Sequence, residues 1–314
     1  EFDLSQVMFI ATANNIENIP YPLRDRMTII KLEGYSNSEK LDIAKNYLLP
    51  KILEEGAVKE KDFNITGDAI KYLIENYTKE NGIRSLERIL TELAQKYKVS
   101  QKIYKKCSLT CDIIDKWFGY KKLVFPKISK IPLKGVVHGL AYTEVGGDVI
   151  KIEARKIPGT GKIKATGKLG EVLKESIDTA YTCLISEMKE SKLDVSNLKD
   201  YDIHIHIPEG AVPKEGTSAG IAIYSAIRSV LTEERVKQDV AMTGEITLYG
   251  DVLPVGGLKE KLAAALRSGI KTVIIPERNA NDLIEIPEDI KKNLKIITIA
   301  HCEEMINVVF EIKS

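Results

Sequence analysis

Apolar residues recur in three different rhythms along this chain. From Ser36 to about Phe118 the spacing is helical: "SNSEKLDIAKNYLLPKIL" opens on a serine cap, and "RSLERILTELAQKYKVSQKIY" sets Leu86, Ile89, Leu90, Leu93, Ala94 and Tyr97 on one face. Further along, short strand-like runs alternate with helices. "DVIKIEARKI" reads as a strand, "PGTGKIKATGKLG" as a glycine-rich turn and a further strand, and "EVLKESIDTAYTCLISEMKE" as an amphipathic helix. "YDIHIHIPEG" alternates in period two, with Ile203, Ile205 and Ile207 on one face and Asp202, His204 and His206 on the other. Strand and helix then repeat through "KTVIIP" and "LKIITIA". The third rhythm is the opening "VMFIATANN", an apolar run closing in small and polar residues, which predicts a buried parallel strand ending at a ligand or loop. A chain that opens inside a sheet reads as cut.

Between the second and third of these regions in chain order, residues 119–134 carry two prolines, several lysines and no sustained period, and mark a domain boundary. The class expected is α/β (α+β): a sheet fragment, a small helical bundle, then an α/β domain. The 314 residues, 44% of them hydrophobic, suffice for two domains with buried cores. Charged residues make up 29% but cancel to a formal +1, so no global field directs the chain to nucleic acid or to an anionic membrane. Cys107, Cys111, Cys183 and Cys302 fit neither a zinc ribbon nor a secreted disulfide framework and read as reduced thiols. No apolar run approaches the roughly 18 residues of a membrane span, and "EFDLSQVMFI" has no basic region ahead of an apolar stretch, which argues against secretion.

Chemistry concentrates in "VPKEGTSAG", where Ser218 stands at the predicted start of a helix. Backbone N–H groups and the positive helix end favour negative charge there. Three readings fit: a nucleophile, a phosphate loop of the kind found in GHMP-type small-molecule kinases, or a plain helix cap. A serine nucleophile needs a base. His204 and His206 form an H-x-H on a strand face, and with His138 and His301 they give no metal-ligand spacing, so no metal site is expected. The other source of a base is "GGLKEKLAAALRSG". Its apolar side centres on Leu258, Leu262, Ala265 and Leu266, with Lys259 flanking one edge and Lys261 the other, so periodicity does not choose between them.

Long stretches of the chain nevertheless carry a resemblance. "HIHIPEGAVPKEGTSAG" followed by "VAMTGEITLYGDVLPVGGLKEKLAAALRSGIKTVIIP", with "GLAYTEVGGDVIKIEA" and "TGKLGEVLKES" before them, closely resembles the proteolytic domain of the Lon proteases, ATP-dependent serine proteases. "FIATANNIENIPYPLRDRM" is similar to the end of that family's AAA+ module and "YTKENGIRSLER" to its small helical subdomain. The resemblance implies four parts: the end of the AAA+ large subdomain at residues 1–32, the AAA+ small helical subdomain at 33–118, a linker at 119–134 and the proteolytic domain at 135–314. It implies Ser218 as nucleophile and Lys261 as its partner, with Thr243 bonding the lysine and Glu153, His204 and His206 lining the site. It assigns Asn14, Arg26 and Arg84 to nucleotide sensing. Where the family has aspartate and proline in "PKDGPSAG", this chain has Glu215 and Thr217, which leaves the role of Glu215 open.

The implied chemistry is peptide hydrolysis by a Ser–Lys dyad without a cofactor. A lysine acts as a base only when neutral, so the site has to lower its pKa from about 10.4 to around 8, at a cost of roughly 3 kcal/mol. ATP and Mg belong to the full-length family members. This chain has no G-x-x-x-x-G-K-[ST] and no acidic run ahead of "VMFIATANN", so it is not expected to hydrolyse ATP alone. The resemblance further implies unfolded or regulatory protein substrates, a homohexamer in the full-length form and a bacterial cytoplasmic location, with the mitochondrial matrix as the alternative; no membrane partner is expected, and this fragment does not indicate nucleic acid.

Overall fold

The computed structural model describes residues 3–13, 16, 19–30, 32, 34–56, 63–78, 80, 82–100, 108–119, 128–143, 146–191, 196–208 and 214–311. They fall into two compact units, Glu1–Gly34 and Tyr35–Ser314.

In the first unit the regular element is a single helical turn, α1 (Tyr21–Arg24), entered through Pro20. The strand expected at "VMFIATANN" is not formed over residues 7–13, and Asn14 and Asn15 lie outside the described residues. Met8, Phe9 and Ile10 are exposed by 73% or more. A strand buried on both faces requires neighbouring strands to take its N–H and C=O groups, and this unit contains none among its described residues.

The second unit begins with helices. α2 (Asn37–Ile43) starts at a capping box: Ser36 Oγ accepts from the Glu39 N–H, and the Glu39 carboxylate accepts from the Ser36 N–H at 2.7 Å. A π-helical segment, Ala44–Leu48, then leads into α3 (Leu49–Glu55). Pro50 cannot donate to the carbonyl one turn back, and the wider turn absorbs the missing bond. α4 (Gly67–Tyr77) and α5 (Arg84–Ser100) follow, with α6 (Cys111–Phe118) after the short parallel pair β1 (Asn64–Ile65) and β2 (Ser108–Leu109). The face of α5 expected to be buried is the buried one: Leu86, Ile89, Leu90, Leu93, Ala94 and Tyr97 are each at most 3% exposed.

The rest of the unit is a three-layer α/β domain. Its strands are β3 (Val136–Thr143), β4 (Gly146–Pro158), β5 (Ile163–Thr166), β6 (Tyr201–His206) and β7 (Val240–Met242), then the small hairpin β8 (Glu245–Ile246) and β9 (Val252–Leu253), then β10 (Thr272–Pro276) and β11 (Lys295–Ile299). Seven of them form one mixed sheet in the order β11-β10-β7-β3-β4-β6-β5. Helices α7 (Glu171–Glu190) and α8 (Gly220–Thr232) pack on one face, and α9 (Leu258–Arg267) and α10 (Glu288–Asn293) belong to the core on the other. In β7, Val240 and Met242 enter the first core while Ala241 enters the second. Burial on both faces is why β7 ("VAM") and the "VII" of β10 are continuously apolar, and "YDIHIH", with one face in the core, alternates.

Candidate active site

Two helix starts and the end of one strand converge on Ser218. The residue stands half-buried in the turn before α8. Its backbone carbonyl accepts from the Gly244 N–H at 2.9 Å and from Thr243 Oγ1 at 3.2 Å, so the turn that leaves β7 grips the chain at the serine itself. Among the described residues, the N–H groups of Ser218 and Ala219 have no acceptor, and both lie at the positive end of α8.

Lys261 arrives on α9, whose N-cap Gly257 has φ 68° and would drive a Cβ into the Tyr142 ring. Glycine adopts that left-handed start freely, and the fourth residue of the helix lies inward. Lys261 is 2% exposed, whereas Lys259 keeps partial access to solvent, so of the two it is Lys261 that points inward. Lys261 Nζ donates to Thr243 Oγ1 at 3.1 Å, and Thr243 is fully buried. Burial pushes the lysine pKa down to about 8, and its place in the first turn of α9 acts in the same direction, because a helix N-terminus disfavours a cation. The continuous path is thus Lys261 Nζ to Thr243 Oγ1 to the Ser218 carbonyl. Among the described residues no hydrogen bond joins Ser218 Oγ to Lys261 Nζ, and such pairs commonly close only around substrate.

Glu153, His204 and His206 form a neighbouring group. Glu153 on β4 stands opposite His206 on β6, and Thr166 on β5 bridges the histidines, 2.9 Å from His204 Nε2 and 2.8 Å from His206 Nδ1. One hydroxyl between two ring nitrogens donates to one and accepts from the other, which links the tautomers of the two rings. Among the described residues none of the three bonds to Ser218, Thr243 or Lys261. Thr166 was not singled out from the sequence, where it is one polar residue in a short strand.

Glu215 reaches to the start of α7. Its Oε1 accepts from the Leu173 N–H at 3.2 Å in the first turn of α7. The N-cap of α7 is Gly170, which has no side chain to cap with, and the Glu215 carboxylate fills the space a Cβ would take there. Thr217 Oγ1 donates to Glu245 Oε2 at 2.5 Å. Arg26 is exposed in the first unit, Arg84 is exposed at the start of α5 in the second, and Asn14 lies outside the described residues. Among the described residues no group of three or more His, Cys, Asp or Glu could hold a metal ion, and no helix is long and apolar enough to cross a membrane.

Comparison with known proteins adds an independent line. Residues 108–312 match the family model of the Lon protease C-terminal proteolytic domain, and residues 54–108 match that of the Lon protease AAA+ ATPase lid domain. A Lon protease of Rickettsia bellii is 49% identical over 309 residues, 98% of this chain and 40% of the relative. Those of Rickettsia prowazekii and Brucella suis are 50% and 48% identical, again over 98% of this chain and over 39% and 38% of their own lengths. The chain therefore spans about two fifths of the length of the curated relatives it matches.

Proposed function

This chain belongs to the Lon protease family, and from that premise we propose that it is a serine endopeptidase in which Ser218 is the nucleophile and Lys261 the general base. One observation carries the proposal: a lysine buried to 2% exposure, linked through a buried hydroxyl to the backbone of a serine at a helix start. A phosphate loop gives no reason for that lysine to be buried.

The roles follow from the donors and acceptors. Thr243 gives its only proton to the Ser218 carbonyl, so toward Lys261 it is an acceptor. Neutral Lys261 spends one N–H on Thr243 and keeps its lone pair for the Ser218 proton. As Ser218 Oγ bonds to the peptide carbonyl carbon, its proton passes to Lys261 Nζ. The lysine returns the proton to the leaving amine when the C–N bond breaks. Water then opens the ester by the same proton path. The N–H groups of Ser218 and Ala219, which have no acceptor among the described residues, suit the developing oxyanion. Glu153, His204 and His206 we assign to the lining of the site, as a polar wall rather than as proton carriers. Glu215 we assign to the support of the loop.

For the longer protein we propose unfolded or regulatory protein substrates, a homohexamer, ATP with Mg as the energy source and a bacterial cytoplasmic location. The four-part division at 1–32, 33–118, 119–134 and 135–314 belongs to the same proposal, as do nucleotide-sensing roles for Asn14, Arg26 and Arg84. Two exposed guanidinium groups do not make a nucleotide site on their own, and the chain carries no phosphate-cradling G-x-x-x-x-G-K-[ST], so the peptide chemistry rests on its own residues. Hydrolysis of a fluorogenic peptide or of unfolded casein, with and without Ser218→Ala, tests the proposal. Cleavage is expected to fall to background in the variant, and cleavage at the wild-type rate would remove Ser218 from the chemistry.

A further inference from the structure

We propose that Thr217 and Glu245 are a positioning pair that orients the Ser218 hydroxyl, an inference that rests on Ser218 being the nucleophile. The loop carrying Ser218 is tied down at three places. At its start the Lys214 backbone pairs with the segment before α7, the Gly170 N–H donating to the Lys214 carbonyl at 2.9 Å and the Lys214 N–H to the Lys168 carbonyl at 3.2 Å. Glu215 then reaches across to the α7 N-terminus through Leu173. At the far end the Ser218 carbonyl is held by Thr243 and Gly244. Between these anchors the chain passes through Gly216, whose φ of +105° gives the loop no stiffness of its own.

Thr217 is the residue that fixes this span. Its hydroxyl donates to Glu245, one residue beyond Gly244 and two beyond Thr243. Residues 243–245 therefore hold the nucleophile's carbonyl, its preceding residue and the base. A short O–H···O⁻ bond to a carboxylate is among the stronger hydrogen bonds available to a neutral donor. Rotation of the peptide between Thr217 and Ser218, which would reorient the serine Oγ and its N–H, works against that bond. Proline at position 217 would stiffen the loop by its fixed φ; threonine does so by a bond to a second segment.

The test uses residues 1–314 with a fluorogenic peptide and reads kcat and KM separately for Thr217→Val, Thr217→Ser, Glu245→Gln and the Thr217→Val/Glu245→Gln double variant, with Ser218→Ala as control and thermal melts for each. Thr217→Val is expected to lower kcat roughly tenfold with KM within about twofold, because a small misplacement acts on the chemical step. Thr217→Ser is expected to restore the rate, and the double variant to be no slower than the slower single one. Wild-type kcat in Thr217→Val, failure of Thr217→Ser to restore it, additive losses, or a kcat loss that merely follows lost folded protein would each overturn the pair. If Ser218→Ala kept the wild-type rate, the nucleophile assignment and the pair built on it would fall together, whereas a dead Ser218→Ala beside an unaffected Thr217→Val would remove the pair alone.

Discussion

Among the described residues two lysines, Lys40 and Lys261, are almost fully buried, and comparing them separates a merely perturbed group from a candidate base. Lys40 on α2 is 4% exposed and Lys261 on α9 is 2% exposed, and both are pushed down to about 8. For each, burial is the leading cause; at Lys40 the charge of Arg267 adds to it and Glu80 opposes it. Their bonds differ. Lys40 Nζ donates to the Glu80 backbone carbonyl, which accepts from either protonation state and leads to no nucleophile. Lys261 donates to a buried hydroxyl that is itself committed to Ser218. A lowered pKa marks both residues, and only the donor–acceptor path distinguishes the catalytic candidate.

The widest separation is expected in activity. Lys261→Gln should lower kcat/KM for a peptide by about a thousandfold or more, as losses of general bases paired with serine do, while Lys40→Met should stay within about threefold. Equal losses in the two variants would collapse the comparison. A smaller separation is expected in stability. Lys261 binds its proton less well folded, near 8, than unfolded, near 10.4, so between those values the unfolded chain holds more protons and stability rises with pH. Below about pH 8 the native state carries the full penalty, roughly 3 kcal/mol. Lys261→Met should therefore stabilise the chain in urea by about 1–3 kcal/mol at pH 7, with the gain vanishing near pH 10.5. Each variant gives up one lysine hydrogen bond, but Lys40→Met should gain less, because it takes that donor from the Glu80 carbonyl, whereas Thr243 keeps its own bond to the Ser218 carbonyl when Lys261 is replaced.

How much of this was legible depends on what kind of surface each residue meets. The buried face of α5 and the inward isoleucines of β6 follow from hydrophobic spacing alone, since each packs one apolar side on one core. The same rule is silent on α9, where a lysine takes an inward position that the apolar pattern cannot assign. The family resemblance selected Lys261, and its burial supplies the physical reason. The resemblance likewise pointed to Thr243, whose two bonds link Lys261 to the Ser218 carbonyl. It left open Glu215, whose reach to α7 depends on Gly170, forty-five residues earlier in the chain. The link from Thr217 to Glu245 spans twenty-eight residues and leaves no local pattern. The opening "VMFIATANN" reads as a strand for the converse reason: its sequence carries the signal for a sheet, and the pairing partners a strand needs are not among the described residues of its unit.

The central claim is that Lys261 works as a neutral base. Its most direct test is the pH dependence of kcat/KM for peptide cleavage from pH 6 to 10, with the residual rate of Ser218→Ala subtracted. The account predicts a rate that rises through one ionisation near pH 8 and levels above it, as Lys261 sheds its proton. A Ser218-dependent rate that is flat across this range, or that rises only near the ordinary lysine value of about 10.4, would contradict it.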